Sequence, residues 1–211
     1  MKDIYIIGAG GFGREVEWLI ERINKNNHEW NIVGFVDDNL PKNTIIGNSK
    51  VVYNIDELIK ECKNISVVIA IGNAKIRKII YNKLKSNPTI TYPNIIDPSV
   101  IHGNINFGQG NIICASTIMT VNVTIGNFNI INLDCTIGHD DILEDFVTIY
   151  PSVNVSGNVK INNLVEIGTG SQIIQGKSIC DGTIIGAGGV VVKNIEEPGT
   201  YVGIPVHKIE K

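Results

Sequence analysis

Residues 125–149 read IGNFNIINLDCTIGHDDILEDFVTI, and an aliphatic side chain returns at every sixth position: Ile125, Ile131, Ile137, Leu143 and Ile149. The beat extends back through Met119, Ile113 and Phe107 to Ile101. It runs forward through Val155, Ile161, Ile167, Ile173, Ile179 and Ile185 to Val191. In a chain that is 43% hydrophobic, chance gives such a run about once in a million, so it is a repeat. A helix needs a beat near 3.6 and a half-buried strand needs alternation. Period six fits short parallel strands joined by sharp corners, each hexad sending one side chain inward. If three hexads close a coil, residues eighteen apart stack at roughly 4.8 Å. The repeat therefore predicts an all-β parallel helix over residues 91–211.

The first ninety or so residues alternate strand with helix instead. Ile4–Ile7, Asn31–Val36 and Ser66–Ile71 read as buried strands. Helical spacing begins near Arg14 (Val16, Leu19, Ile20, Ile23), with further helices over Ile55–Cys62 and Lys75–Leu84. This predicts a small Rossmann-like parallel α/β sheet over residues 1–90. Pro88, Pro93 and Pro98 punctuate the passage between Asn87 and Ile101.

With 211 residues there is room for a sizeable core, and a formal net charge of -3 gives no basic surface for nucleic acid. Cys62, Cys114, Cys135 and Cys180 stand apart, without CxxC spacing, and read as reduced, buried small hydrophobes. The opening strand meets glycine too early for a signal-peptide core, and no apolar run is long enough to cross a bilayer. A cytoplasmic protein is expected.

Two regions carry candidate chemistry. Gly8-Ala9-Gly10-Gly11-Phe12-Gly13 follows a strand and opens a helix, a pattern that lets phosphate approach free N–H groups. A dinucleotide would need a larger fold, so the expectation is a mononucleotide or nucleotide-sugar pocket. Gly10, Gly11, Phe12 and Gly13 would form one side, closed by Asp37, Asp38, Gly72 and Asn73 at the strand ends. The plainer alternative is that these glycines only permit close helix–strand packing. His28 and His207 read as surface residues and His102 as a corner residue. His139, in Ile137-Gly138-His139-Asp140-Asp141, adjoins two carboxylates, one of which can fix one ring nitrogen while the other accepts a proton. Strand pleating would put Asp141 on the same side as His139, in competition with Asp140. Gly157, eighteen residues on, should lie one coil above His139 and offer a bare backbone N–H to an oxyanion.

The glycine loop with Arg14-Glu15, Gly34-Phe35-Val36-Asp37-Asp38 and Ile71-Gly72-Asn73 form one set of motifs. Asn132, Gly138-His139-Asp140, Ser156-Gly157-Asn158-Val159 and Gly203-Ile204-Pro205-Val206-His207-Lys208-Ile209 form another. Together, over essentially the whole chain, they resemble bacterial sialic acid O-acetyltransferases and nucleotide-activated amino-sugar N-acetyltransferases. The resemblance implies a left-handed β-helix, a homotrimer, acetyl-CoA as co-substrate and a nucleotide-sugar acceptor held by the N-terminal domain. It further implies His139 as general base, Asp140 as its orienting acid, and Asn132 close to that base. Gly157 would face the thioester carbonyl, Gly170 and Gly188 would admit the pantetheine arm, and Ile204-Pro205 would lie toward the adenine. Phe12 and Thr148 depart from the pattern, standing where relatives often carry histidine. Outward Ile112, Ile118, Ile130, Ile142 and Ile184 are expected to supply apolar surface for assembly.

The expected activity is acetyl transfer from acetyl-CoA to the amine of a nucleotide-linked amino sugar for surface glycan synthesis. The alternatives are a hydroxyl acceptor, as in sialic acid O-acetylation, and a non-catalytic nucleotide-sugar-binding protein. No metal is expected: a zinc carbonic anhydrase would need three histidines, and the repeat offers only His102 and His139. A purely structural β-helix would lack the glycine-turn domain, and a nucleotide-linked oxidoreductase would need a second domain for hydride transfer.

Overall fold

The structure, a computed structural model, describes residues 1–210 and divides into two compact units, Met1–Asp97 and Pro98 onward. In the first unit the elements run β1 (Lys2–Ile7), α1 (Gly11–Asn27), β2 (Trp30–Val36), β3 (Ile45–Ile46), β4 (Ser49–Tyr53), α2 (Ile55–Glu61), β5 (Ile65–Ile69), α3 (Ala74–Leu84), β6 (Ile90–Thr91). The sheet order is β3-β4-β2-β1-β5-β6, parallel except for the β3–β4 hairpin, which the sequence reading missed. Ile4, Ile6 and Ile7 of β1, Val67–Ile69 of β5 and Val16, Leu19 and Ile20 of α1 are buried, as the apolar run and helical spacing predict.

Two boundaries shift. Helix α1 starts at Gly11 rather than near Arg14, because extended Gly10 serves as N-cap and both loop glycines enter the helix. Strand β5 ends at Ile69 rather than Ile71, since its partner β1 ends at Ile7; the last link is Ala70 N–H to Ile7 O at 2.8 Å.

The second unit is a parallel β-helix. Its two- and three-residue strands stack in three sheets, and the register advances by eighteen, as in Ile112↔Ile130, Ile137↔Val155 and Leu143↔Ile161. Every residue on the beat from Ile113 to Val191 is buried. Of the two earlier members, Phe107 is half-buried and Ile101 is 65% exposed. The strand Ile101–His102 runs one residue out of phase, so that Ile101 pairs with outward Ile118 and His102 with inward Met119, while the next strand is in phase, Phe107 pairing with Ile125.

The corners follow the same period. From Ser116 to Leu164 every sixth residue has a left-handed backbone, and the series continues at Gly170, Gly176, Gly182 and Gly188. That conformation costs a residue bearing a Cβ about 1–2 kcal/mol, least for Asn and Asp, which take the corner at Asn122, Asp134, Asp140 and Asn158. Inside the coil, Asn111 accepts from the Asn129 N–H at 2.8 Å, and Asn129 from the Val147 N–H at 2.6 Å. Buried amides thus tie three successive coils together.

The outward isoleucines do not form one face. Ile112 and Ile130 are buried within the single chain, while half-exposed Ile118, Ile142 and Ile184 lie on three different sheets. The side of the prism alternates with each hexad, so residues six apart never share a sheet. All four cysteines are free thiols, three of them buried.

Candidate active site

In the second unit the strand Thr136–Ile137 delivers Gly138-His139-Asp140-Asp141 to a corner. Asp140 takes the left-handed position (φ 62°), which turns its carboxylate back onto the preceding ring; His139 Nδ1 and Asp140 Oδ2 are 2.7 Å apart. With the carboxylate accepting, Nδ1 carries the proton and Nε2 has a free lone pair. Asn122, eighteen residues earlier, donates to the other Asp140 oxygen at 3.2 Å. Hydrogen bonds from His139 first, then from Asn122, hold Asp140 below the usual carboxylate range. Both His139 and Asp140 are about half exposed, so the pair is open to a ligand.

Gly157 lies against the imidazole. A Cβ built there would run into Nε2 and would stand 2.6 Å from Cδ2. Gly157 is buried, and among the described residues no group accepts its N–H. An orphaned, fixed donor beside a potential base is what an oxyanion needs.

Asp141 is not on the His139 side. It is fully buried in the inward row between Val123 and Val159, so the competition with Asp140 is decided for Asp140 by contact. Pleating misleads here because the corner at Asp140 rotates the next residue inward. Nor is Asn132 brought to His139. It sits at the preceding corner, largely buried, its side-chain oxygen accepting from the Leu133 N–H at 2.7 Å. Thr148 is buried on a different sheet from Thr136–Ile137. Gly170 and Gly188 are corner glycines (φ 72° and 69°) with open space where a Cβ would go, so the corner conformation accounts for their identity. Ile204 is exposed, and Pro205 lines a small cavity of about 200 Å³ with Lys193, Asn194, Tyr201 and His207.

The glycine loop divides by role. At Gly13 a Cβ would collide with the Gly8 carbonyl oxygen, so this glycine exists for close packing of α1 on β1. Around Gly10 and Gly11 there is open space, the cap has no side-chain hydrogen bond, and the first turn holds no acidic residue. That leaves a bare helix N-terminus of the kind that receives an anion. Half-exposed Phe12 follows, between Gly11 and Gly13. We expect Gly13→Ala to destabilise the fold by about 1–3 kcal/mol through overpacking. Gly11→Ala should leave stability the same or higher, because alanine is the better helix former. Urea denaturation of the two variants measures the contrast.

At the carboxyl ends of β1, β2 and β5 lies a cleft of about 270 Å³. Its walls are apolar (Ile55, Ile71, Ile76, Ile79), with Asp37, Asp38 and Lys83 at its rim. Asp37 accepts from the Ala9 N–H at 3.0 Å and the Asn39 N–H at 2.9 Å, tying β2 to the glycine loop. Asp38 accepts from the Ile55 N–H at 2.9 Å. Asn73 caps α3 by accepting from the Ile76 N–H at 3.0 Å, and the Gly72 carbonyl accepts from buried Arg77 at 2.9 Å. The cleft therefore gathers Asp37 and Asp38, while Gly72 and Asn73 shape the adjoining turn. Sequence reading missed the isoleucine wall and Lys83; it also missed Asn122, which stepping back eighteen residues from Asp140 would have found.

An imidazole backed by a carboxylate, beside an unclaimed amide on a hexapeptide coil, has the equipment of an acyltransferase. Comparison with known proteins narrows the class. The family model of the PglD N-terminal domain matches residues 3–84. GDP-perosamine N-acetyltransferase of Escherichia coli O157:H7 is 30% identical over 179 residues, covering 81% of this chain and 77% of that protein. The acetyltransferase domain of PglB from Neisseria gonorrhoeae FA1090 superimposes with a TM-score of 0.90 at 26% identity, over 99% of this chain and 100% of that one. The same domain in complex with acetyl coenzyme A gives 0.88 at 25% identity, over 99% of each chain. The chain belongs to the bacterial sugar acetyltransferase family. No helix among the described residues is long and apolar enough to cross a membrane, and no metal-binding cluster occurs among them.

Proposed function

We propose that the protein transfers acetyl from acetyl-CoA to the amine of a nucleotide-linked amino sugar. The observation that carries this reading is the His139–Asp140 pair at 2.7 Å with the Gly157 backbone against the ring. His139 Nε2 takes a proton from the acceptor amine as its nitrogen attacks the thioester carbonyl carbon. The Gly157 N–H holds the oxygen as it gains negative charge. The C–S bond then breaks, and the imidazolium returns its proton to the departing thiolate. Asp140 keeps the ring in the tautomer that leaves Nε2 free. Gly170, Gly188, Ile204 and Pro205 line the path of CoA. In the first unit, Gly10, Gly11 and Phe12 lie toward phosphate, and Asp37, Asp38, Gly72 and Asn73 toward the nucleoside.

The relative in Escherichia coli O157:H7, a GDP-perosamine N-acetyltransferase, favours GDP-perosamine among acceptors. Assays with GDP-perosamine, UDP- and dTDP-linked amino sugars and free sialic acid, with acetyl-CoA and mass-spectrometric detection, test the proposal. Acetylation of sialic acid alone would overturn the amine assignment. We further propose a homotrimer acting in the cytoplasm, in which a second copy walls the open side of the His139 corner. Sedimentation velocity at micromolar concentration tests the assembly, and a fully active monomer would exclude it.

A further inference from the structure

Asp141 has no part in the chemistry above, yet it departs most from the pattern of the coil. The inward row in which it lies carries valine one coil below and one coil above, Val123 and Val159, and all three are fully buried. A carboxyl group in that row is costly where a valine would fit. Its oxygens are both engaged: Oδ2 accepts from the Gly138 N–H at 2.9 Å and Oδ1 from the Val159 N–H at 2.8 Å.

The first of those bonds breaks the ladder. On this side of the prism Thr120 N–H donates to Ile137 O at 3.1 Å, Ser156 N–H to Ile173 O at 3.0 Å and Ile174 N–H to Val191 O at 3.2 Å. By the same step Gly138 N–H would reach Val155 O; among the described residues it donates to Asp141 instead. The departure falls where the two coils crowd together. A Cβ at Gly138 would stand 2.5 Å from Gly157 N and 2.8 Å from its Cα. Asp141 thus holds the residue before His139 in one coil and, through Val159, the segment just after Gly157 in the next.

We propose that Asp141 is a positioning residue for acetyl transfer, its carboxylate replacing one rung of the ladder to fix the His139 turn against the Gly157 amide. The proposal rests on the acetyl-transfer reading above. Burial pushes the Asp141 acid up to about 7, against the pull of its two N–H donors. The charged groups near it are His139 and Asp140 on its own turn. The coils below and above present Val123 and Val159, while Glu144 and Lys160 pair with each other on the outer surface at 3.4 Å. A protonated carboxyl has one acceptor fewer to offer, so the clamp is complete only in the ionised form. The sign for stability is opposite. The folded chain binds this proton more tightly than the unfolded chain, so stability falls as pH rises from about 4 to about 7.

The test uses Asp141→Val, which continues the valine row, and Asp141→Asn, which keeps the shape. With acetyl-CoA and GDP-perosamine, kcat should fall at least tenfold in both, with the acceptor KM within about threefold. The wild-type pH profile of kcat should carry an ionisation near neutrality that both variants lose. Independently of turnover, the Gly138 amide resonance should track an ionisation near 7 in the wild type, and the variants should lose the decline in thermal stability over that range. Wild-type kcat and pH profile in either folded variant would overturn the proposal. If the wild type acetylates no acceptor, the functional reading fails, and the Gly138 resonance then decides: no titration there rejects the clamp. Should the valine variant not fold, the asparagine variant supplies the same readouts.

Discussion

Replacing His139 with alanine should lower acetyl transfer at least a hundredfold while leaving the β-helix intact and acetyl-CoA binding nearly unchanged. A positioned general base contributes about 10²–10⁴ in rate, and a hundredfold loss corresponds to about 2.7 kcal/mol of transition-state stabilisation. The fold should tolerate the change because the ring is half exposed and fills no core position; the inward residues beside it are Ile137 and Asp141. Asp140→Asn should cost less than His139→Ala, since it leaves Nε2 in place but removes the carboxylate that fixes the tautomer. Asp140, held below the usual carboxylate range by its hydrogen bonds from His139 and Asn122, stays ionised near neutrality. Steady-state kinetics with both substrates, together with CoA titration of the alanine variant, measure each term. Near-normal turnover without His139 would remove it from the mechanism.

How much of this was legible from residues follows the physics of each signal. The β-helix was, because inward positions from Ile113 to Val191 lie on one arithmetic series and each contributes separately to the core. The rule of stacking by eighteen also puts Gly157 over His139, where the glycine lies against the ring. It failed at Ile101, where one residue fewer separates the first strand from its partner in the next coil, a shift that leaves no mark in composition. The choice between Asp140 and Asp141 was beyond pattern, since it turns on a left-handed backbone at Asp140 that Asn, Asp, Ser, Phe and Leu all adopt elsewhere in the coil. The β3–β4 hairpin escaped because a two-residue strand closed at Gly47 has too few side chains to display alternation. In the glycine loop the spacing suggested one role for all its glycines. Only the distance between helix and strand separates Gly13, which packs, from Gly10 and Gly11, which leave space.

Gly157→Ala should then be nearly as damaging to turnover as loss of the histidine, for a reason that involves no loss of a functional group. Gly157 does not have a left-handed backbone, so alanine brings no conformational penalty of its own. Its methyl group would instead occupy the volume of the imidazole, 2.6 Å from Cδ2, closer than two carbons can approach. Either the ring swings outward, losing the 2.7 Å contact to Asp140, or the two coils part and the Gly138–Gly157 approach opens. In both cases the base and the oxyanion donor are no longer arranged around a single carbonyl. Misplacement by about 1 Å is enough to cost a hundredfold in kcat. Because the ring lies at the surface and can move, stability should change by no more than about 1 kcal/mol, against about 1–3 kcal/mol for Gly13→Ala, where the obstruction is backbone. The pairing of measurements is what discriminates: Gly157→Ala should lose kcat and keep its denaturation midpoint, and Gly13→Ala should do the reverse once folded. A Gly157→Ala enzyme with wild-type kcat would mean that the acetyl carbonyl lies away from this amide and that the oxyanion is held elsewhere.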